Sequence, residues 1–292
     1  ASKYEAHERD QMKLGVHILP RFSRDSTDRN RTSPFAFTGN KFEFRSLGSA
    51  QSISGPNVIL NTAIADTLMK MADELETATD LTAAVDALIR KTLSAHMRII
   101  FNGNGYDQAW VEEARRRGLL NLPTTVDALP YYVDPKNIAL FERQKVFTRE
   151  EVVSRYEIKM ETYIKVIDIE ALSMIDMARH LILPAAIAYA KDVAGEMELK
   201  KRVMPELETE AEKALLSGLT AQTNALYKAT DRLETVLKEC DAGADMLERA
   251  RYTRDRVMAA MNEVRASADA LEGMVGKSYW PMPTYQDLLM SV

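Results

Sequence analysis

The sequence predicts an α+β fold that is predominantly α-helical: a few strands near the N-terminus, then helices and a long antiparallel helical hairpin. Three observations carry this expectation. Lys41-Phe42-Glu43-Phe44-Arg45 alternates charged and aromatic residues, and a period of two is the signature of a half-buried strand. Leu219, Leu226, Leu233 and Cys240 fall seven residues apart, which is the spacing of a seam between packed helices. Leu247, Ala250, Arg254, Val257, Met261, Val264, Ala268, Leu271 and Val275 alternate steps of three and four, with Arg254 alone breaking the apolar row.

Taken in order, residues 1–20 read as a short helix leading into an extended run at Val16-His17-Ile18-Leu19. Pro34 and Gly39 mark turns before the Lys41–Arg45 strand. The small, polar stretch from Gly48 to Gly55 precedes Pro56, a first-turn residue for a helix whose apolar row runs through Val58, Ile59, Thr62, Ala65, Leu68, Met69 and Ala72. A second helix spans 81–97, and Asp107 caps a short one through Arg117. Asp134-Pro135 reads as an N-cap followed by a first-turn proline. Thr148 and Glu151 have capping-box spacing. They open a long helix running to about Ala194, with Pro184 ending or kinking it. From Glu196 the composition shifts to Ala, Leu, Glu, Lys and Arg, and Asp241-Ala242-Gly243 is the reversal between the two heptad rows. The segment Trp280-Pro281-Met282-Pro283-Thr284-Tyr285 reads as a docked extended tail. These features divide the chain into 1–195 and a hairpin with its tail at 196–292.

Composition narrows the function classes. The 292 residues carry a net charge of −5, and a mildly acidic balance argues against the broad basic face of a nucleic-acid binder. A single cysteine, Cys240, cannot form an internal disulfide, which points to a reducing, cytoplasmic setting. No uninterrupted apolar run approaches the length of a membrane span. The four histidines, His7, His17, His96 and His180, lack ligand spacing and read as ordinary surface or core residues. Arg115-Arg116-Arg117 ends a helix, where cations complement the dipole, and reads as structural or as an inter-subunit contact. Asn102-Gly103-Asn104-Gly105 is a turn-former rather than a dinucleotide loop, because it lacks the third glycine.

What remains is the stretch from Asp28 to Arg45, DRNRTSPFAFTGNKFEFR. One reading is an amphipathic strand whose Lys41, Glu43 and Arg45 form a solvated ion-pair row. The other is a phosphate-and-metal site. Mg²⁺ takes oxygen ligands, usually one or two carboxylates plus phosphate oxygens. Arginines clamp phosphoryl oxygens bidentately, and phosphoryl transfer is chiefly positioning plus charge neutralisation.

Asn30-Arg31-Thr32-Ser33 followed by Lys41-Phe42-Glu43-Phe44-Arg45 resembles the late catalytic segment of glutamine synthetases. The fuller DRNRTSPFAFTGNKFEFR, with SISGPN at 52–57, FNGNGY at 101–106, RGLLNLPTTVDALPYY at 117–132 and IEALSMIDMA at 169–178, resembles the type III class. So do the helical hairpin and the closing YQDLLMSV. The resemblance implies a C-terminal portion of that enzyme: the end of the catalytic domain plus the class's helical C-terminal extension. It implies ATP-dependent ligation of ammonia to L-glutamate through a γ-glutamyl phosphate, with Mg²⁺ or Mn²⁺ as cofactor, ATP as substrate and a large homo-oligomeric ring. Glu43 matches the metal-ligating glutamate on the ATP-phosphate side. Arg45 matches an arginine at substrate glutamate and the transferring phosphoryl group, and Arg31 matches one at the nucleotide phosphates. Lys41 departs from the arginine of other classes and takes no role beyond local positive charge. The family's other metal ligands and its ammonium site lie upstream of the sequence present, so the portion alone is expected to be inactive. The alternative is a helical oligomerisation or interaction module without catalysis of its own.

Overall fold

The computed structural model describes residues 11–12, 22–23, 35–37, 42–44, 52–101, 105, 107–240, 245–283 and 285–290. The expected α+β class is corrected to an all-helical one. From residue 52 onward 81% of the described residues are helical and none is in a strand. Upstream, the described backbone amounts to two isolated antiparallel pairings, β1 (Gln11–Met12) with β2 (Phe22–Ser23) and β3 (Phe35–Phe37) with β4 (Phe42–Phe44). Two strands of two or three residues form no β layer, which takes at least three strands sharing an apolar face. The period-two pattern at 41–45 is real but local, whereas the helical pattern recurs over more than 200 residues.

The chain divides into two compact units, 1–122 and 123–292. In the first, α1 (Ser54–Glu76) and α2 (Leu81–His96) form a hairpin. Asp80 starts α2 by accepting the Ala83 amide at 3.0 Å, and Lys91 bridges back to Glu74 on α1 at 2.8 Å. The apolar row expected to be the core of α1 faces outward in part, with Leu68 59% exposed. The residues buried on α1 are instead Thr62, whose hydroxyl donates to the Val58 carbonyl, and Asp66, paired with Lys70 at 2.7 Å. The last helix of this unit is α3 (Gln108–Arg116), capped by Asp107 as expected.

The second unit opens with α4 (Thr125–Tyr132) and α5 (Pro135–Arg143), capped by the Thr124 and Asp134 side chains, with Pro135 in the first turn of α5. The capping box of α6 (Arg149–Met177) is complete: the Glu151 amide donates to Thr148 Oγ1, and the Thr148 amide donates to Glu151 Oε2 at 2.9 Å. Pro184 does not end this helix. A π turn at Ala178–Ile182 precedes α7 (Leu183–Val203), and the helix is continuous over Arg149–Val203. Proline lacks the N–H that would bond the carbonyl four residues back and crowds that carbonyl. That carbonyl belongs to His180, inside the wider π turn. By length and composition alone this helix would pass for a membrane span. Its Val152, Met160, Ala171 and Ala186, however, are fully buried in the bundle.

A turn at 204–209 reverses the chain into α8 (Glu210–Glu239). The return limb is α9 (Met246–Tyr252), a second π turn at Thr253–Val257, and α10 (Met258–Glu272). The expected reversal at Asp241-Ala242-Gly243 lies outside the described residues. The seam itself is dry: Leu219, Leu226 and Leu233 on α8 and Leu271 on α10 have no exposed surface, and Val264 has 2%. Each such leucine contributes roughly 2–3 kcal/mol of transfer free energy.

Arg254 breaks the apolar row because it sits in the π turn. The widened turn keeps Ala250 and Val257 buried on either side and aims Arg254 at Asp127 of α4, 2.7 Å away, and at Asp255, 2.6 Å away. Beyond α10 the tail docks through Trp280, 8% exposed. At Gly276 a Cβ would lie 3.2 Å from the Tyr189 ring, so a side chain there would require that ring to give by a few tenths of an ångström. A short helix, α11 (Tyr285–Met290), ends the described chain and is held by Lys277–Asp287 at 2.5 Å.

Candidate functional site

The residues singled out by the sequence fall where side chains are not described. Arg31, Lys41 and Arg45 lie outside the described residues. Glu43 is described through its backbone, opposite Ala36 in the β3–β4 register. Among the residues whose side chains are described, no group of three His, Cys, Asp or Glu gathers to hold a metal. His180 lies on the surface, 3.7 Å from Asp176.

The described charged clusters serve local structure. Glu113 on α3 accepts from Arg116 at 2.7 Å and from Arg117 at 2.5 Å. Arg117 also donates to the Ile100 carbonyl at 2.9 Å and lies over the Trp110 ring, which stacks on Phe101 at 3.8 Å. Arg117 therefore braces the 97–101 segment against α3. Hydrogen bonds first from Arg116 and then from Arg117 hold the Glu113 carboxyl down at about 2 against an ordinary 4.5. A depressed carboxylate stabilises the fold above its unfolded pKa, and that contribution is lost as pH falls through the folded value. Hydrogen-exchange protection of 107–118 should thus be lower in Glu113→Gln than in the parent at pH 5–6. The difference should close between pH 4.5 and about 2; a gap that persists at pH 2 would contradict the brace.

In the second unit Asp127 accepts from the Thr124 hydroxyl at 2.6 Å and faces Arg254, two contacts that lower its pKa in that order. Arg179, in the first π turn, bridges to Asp231, 3.1 Å away, and to Glu234 on α8. Each π turn thus presents an arginine to carboxylates on a neighbouring helix. Burial raises the Asp168 carboxyl, and the Arg249 charge across from it offsets part of that. Tyr279 is raised chiefly by donating its hydroxyl hydrogen bond to Asp192. None of these clusters opens on a substrate-sized cavity.

One cavity does stand out, and sequence reasoning missed it. A groove of about 570 Å³ runs between α6 and α10 and is walled by Met174, Met177, Ile182, Met261 and Val264, with Trp280 and Met282 at one end. The signal in the sequence is the methionines at 174, 177, 261 and 282, whose flexible thioethers suit a groove wall as well as a core.

The bundle has a defined place among known proteins. Residues 84–201 match the model of the glutamine synthetase C-terminal domain. Over almost its whole length the chain is 39% identical to the type-3 glutamine synthetase of Dictyostelium discoideum (96% of this chain, 39% of that protein). It is 38% identical to the glutamine synthetase of Butyrivibrio fibrisolvens (93% and 39%) and 30% identical to that of Bacteroides fragilis strain YCH46 (99% and 41%). Residues 84–201 thus carry a glutamine synthetase C-terminal domain, within a chain that is similar to a type-3 glutamine synthetase over almost its whole length. It spans about 40% of the length of the curated relatives it matches.

Proposed function

We propose that this chain is the C-terminal part of an enzyme that joins ammonia to L-glutamate at the expense of ATP, through a γ-glutamyl phosphate, and that this part alone does not turn over. The observation carrying the proposal is the match to three glutamine synthetases over 93–99% of the chain, while the chain covers only 39–41% of each of them.

In this reading Glu43 ligates the Mg²⁺ or Mn²⁺ ion on the ATP-phosphate side, Arg31 meets the nucleotide phosphates, and Arg45 meets substrate glutamate and the phosphoryl group in transfer. A carboxylate oxygen is a fitting donor for a hard divalent cation. One carboxylate with flanking arginines nevertheless supplies only part of such a coordination sphere, and the described residues gather no others. When bound, the metal neutralises phosphate charge; the chain's own arginines orient the phosphoryl oxygens and cancel the charge that remains. The helical unit is proposed to serve homo-oligomeric assembly, in a cytoplasmic enzyme.

Arg45→Lys in the complete enzyme separates clamp from charge. Lysine keeps the cation and loses the planar fork. The expected loss of kcat/KM is on the order of 10²-fold, carried mainly by kcat; activity within about twofold of the parent would remove Arg45 from the site.

A further inference from the structure

We propose that the groove between α6 and α10 is a receptor for an amphipathic helix that presents apolar side chains on one face and lysine or arginine beside them. None of its lining residues is among those proposed for the ligation chemistry.

Its floor is apolar and built from adaptable side chains. Met174 and Met177 come from α6 and Met261 from α10, and Met282 comes from the tail. Unbranched thioethers repack around different apolar partners, which suits helix-in-groove recognition. From Met261 to Glu272 the wall is about 16 Å long, or three helical turns. That length takes an i, i+4, i+7 ridge.

The rim fixes the sign of the partner. Glu170, exposed on α6, and Glu272, half-buried at the end of α10, both border the groove. Neither has an ion-pair or hydrogen-bond partner among the described residues. Arg265 borders it too, and Asp269 lies 3.3 Å from that guanidinium. The rim thus carries two unmatched negative charges over an apolar floor.

The chain's own tail uses the same mode. Leu288 of α11 lines one end of the groove, and the adjoining Leu289 and Met290 are 82% and 74% exposed. A docked helix already supplies part of the wall, and its remaining apolar residues extend the surface that a second helix would cover.

The test uses the full chain and a fluorescent 18-residue peptide of Leu and Lys with leucine along one helical face, against a control with Glu at every Lys position. The Lys peptide should bind at least about tenfold more tightly than the Glu peptide. Its affinity should fall about tenfold in Glu170→Lys/Glu272→Lys and also between 0.05 and 0.5 M salt, because rim charges are screened. Glu157→Lys/Glu208→Lys, with the same change of net charge outside the groove, should bind like the parent. Binding should shift Trp280 emission in a Trp110→Phe background. Circular dichroism establishes that each variant is folded. No binding, equal binding of both peptides, or equal effects of the two double variants would overturn the proposal. So would self-association of the chain that excludes the peptide, which would make the occupant a second copy.

Discussion

Glu43→Ala in the complete enzyme should lose biosynthetic activity by on the order of 10²–10³-fold, the range seen when one charge-stabilising group leaves a phosphoryl or acyl-transfer site. The reason is specific to the chemistry. In the proposed reaction two anionic groups, the terminal phosphate and the glutamate carboxylate, would have to approach each other, and a metal held by this carboxylate would offset their repulsion. Alanine removes the donor without adding bulk, and β3–β4 pairs through backbone groups that the substitution leaves in place. Assembly, followed by sedimentation, should therefore be unchanged. Raising Mg²⁺ or Mn²⁺ should recover part of the rate, because a weakened site fills at higher metal. Full metal-dependent activity in the variant would leave the strand structural and return the Lys41–Arg45 alternation to an ion-pair row.

The largest effect on stability belongs to the seam. Leu226→Ala removes a side chain with no exposed surface from the centre of the main core, between Leu219 and Leu233. Truncating a buried leucine costs the lost transfer free energy plus the cavity left behind, about 2–5 kcal/mol. For a unit of this size that corresponds to a drop in Tm of roughly 5–15 °C. Tyr227, the next residue along α8, is 56% exposed, so Tyr227→Ala is the matched control and should shift Tm by only a degree or two. Equal effects at the two positions would mean that the seven-residue row does not mark the buried face.

How much of this was legible in the sequence depends on the range over which the deciding interaction acts. Caps are local, and Asp107, Asp134 and Thr148 each accept the amide that their position predicts. The heptad rows were legible because a dry seam repeats its demand every seven residues. Arg254 showed only as a defect in the row, since its partner Asp127 lies 127 residues away. Pro184 was read as an end or a kink, yet the neighbouring π turn lets the helix continue. Whether a π turn will form depends on what packs around it, which a local pattern does not contain. The strand expectation overreached for a related reason: alternation fixes the conformation of five residues and says nothing about whether further strands join them. The candidate site was legible only as motif. Glu43, Arg45 and Arg31 are named by likeness, and the groove was hidden because a methionine lining a cavity has the same helical spacing as one filling a core.

The proposed function makes these 292 residues one part of a glutamine synthetase that needs the rest of the protein to work. Its most direct test is γ-glutamyl transfer by the isolated chain, with glutamine, hydroxylamine, ADP, arsenate and Mn²⁺, measured beside the complete enzyme at equal molar concentration. The proposed function requires steady turnover from the complete enzyme and none above background from the folded chain. Clear, metal-dependent turnover by the chain alone would contradict it.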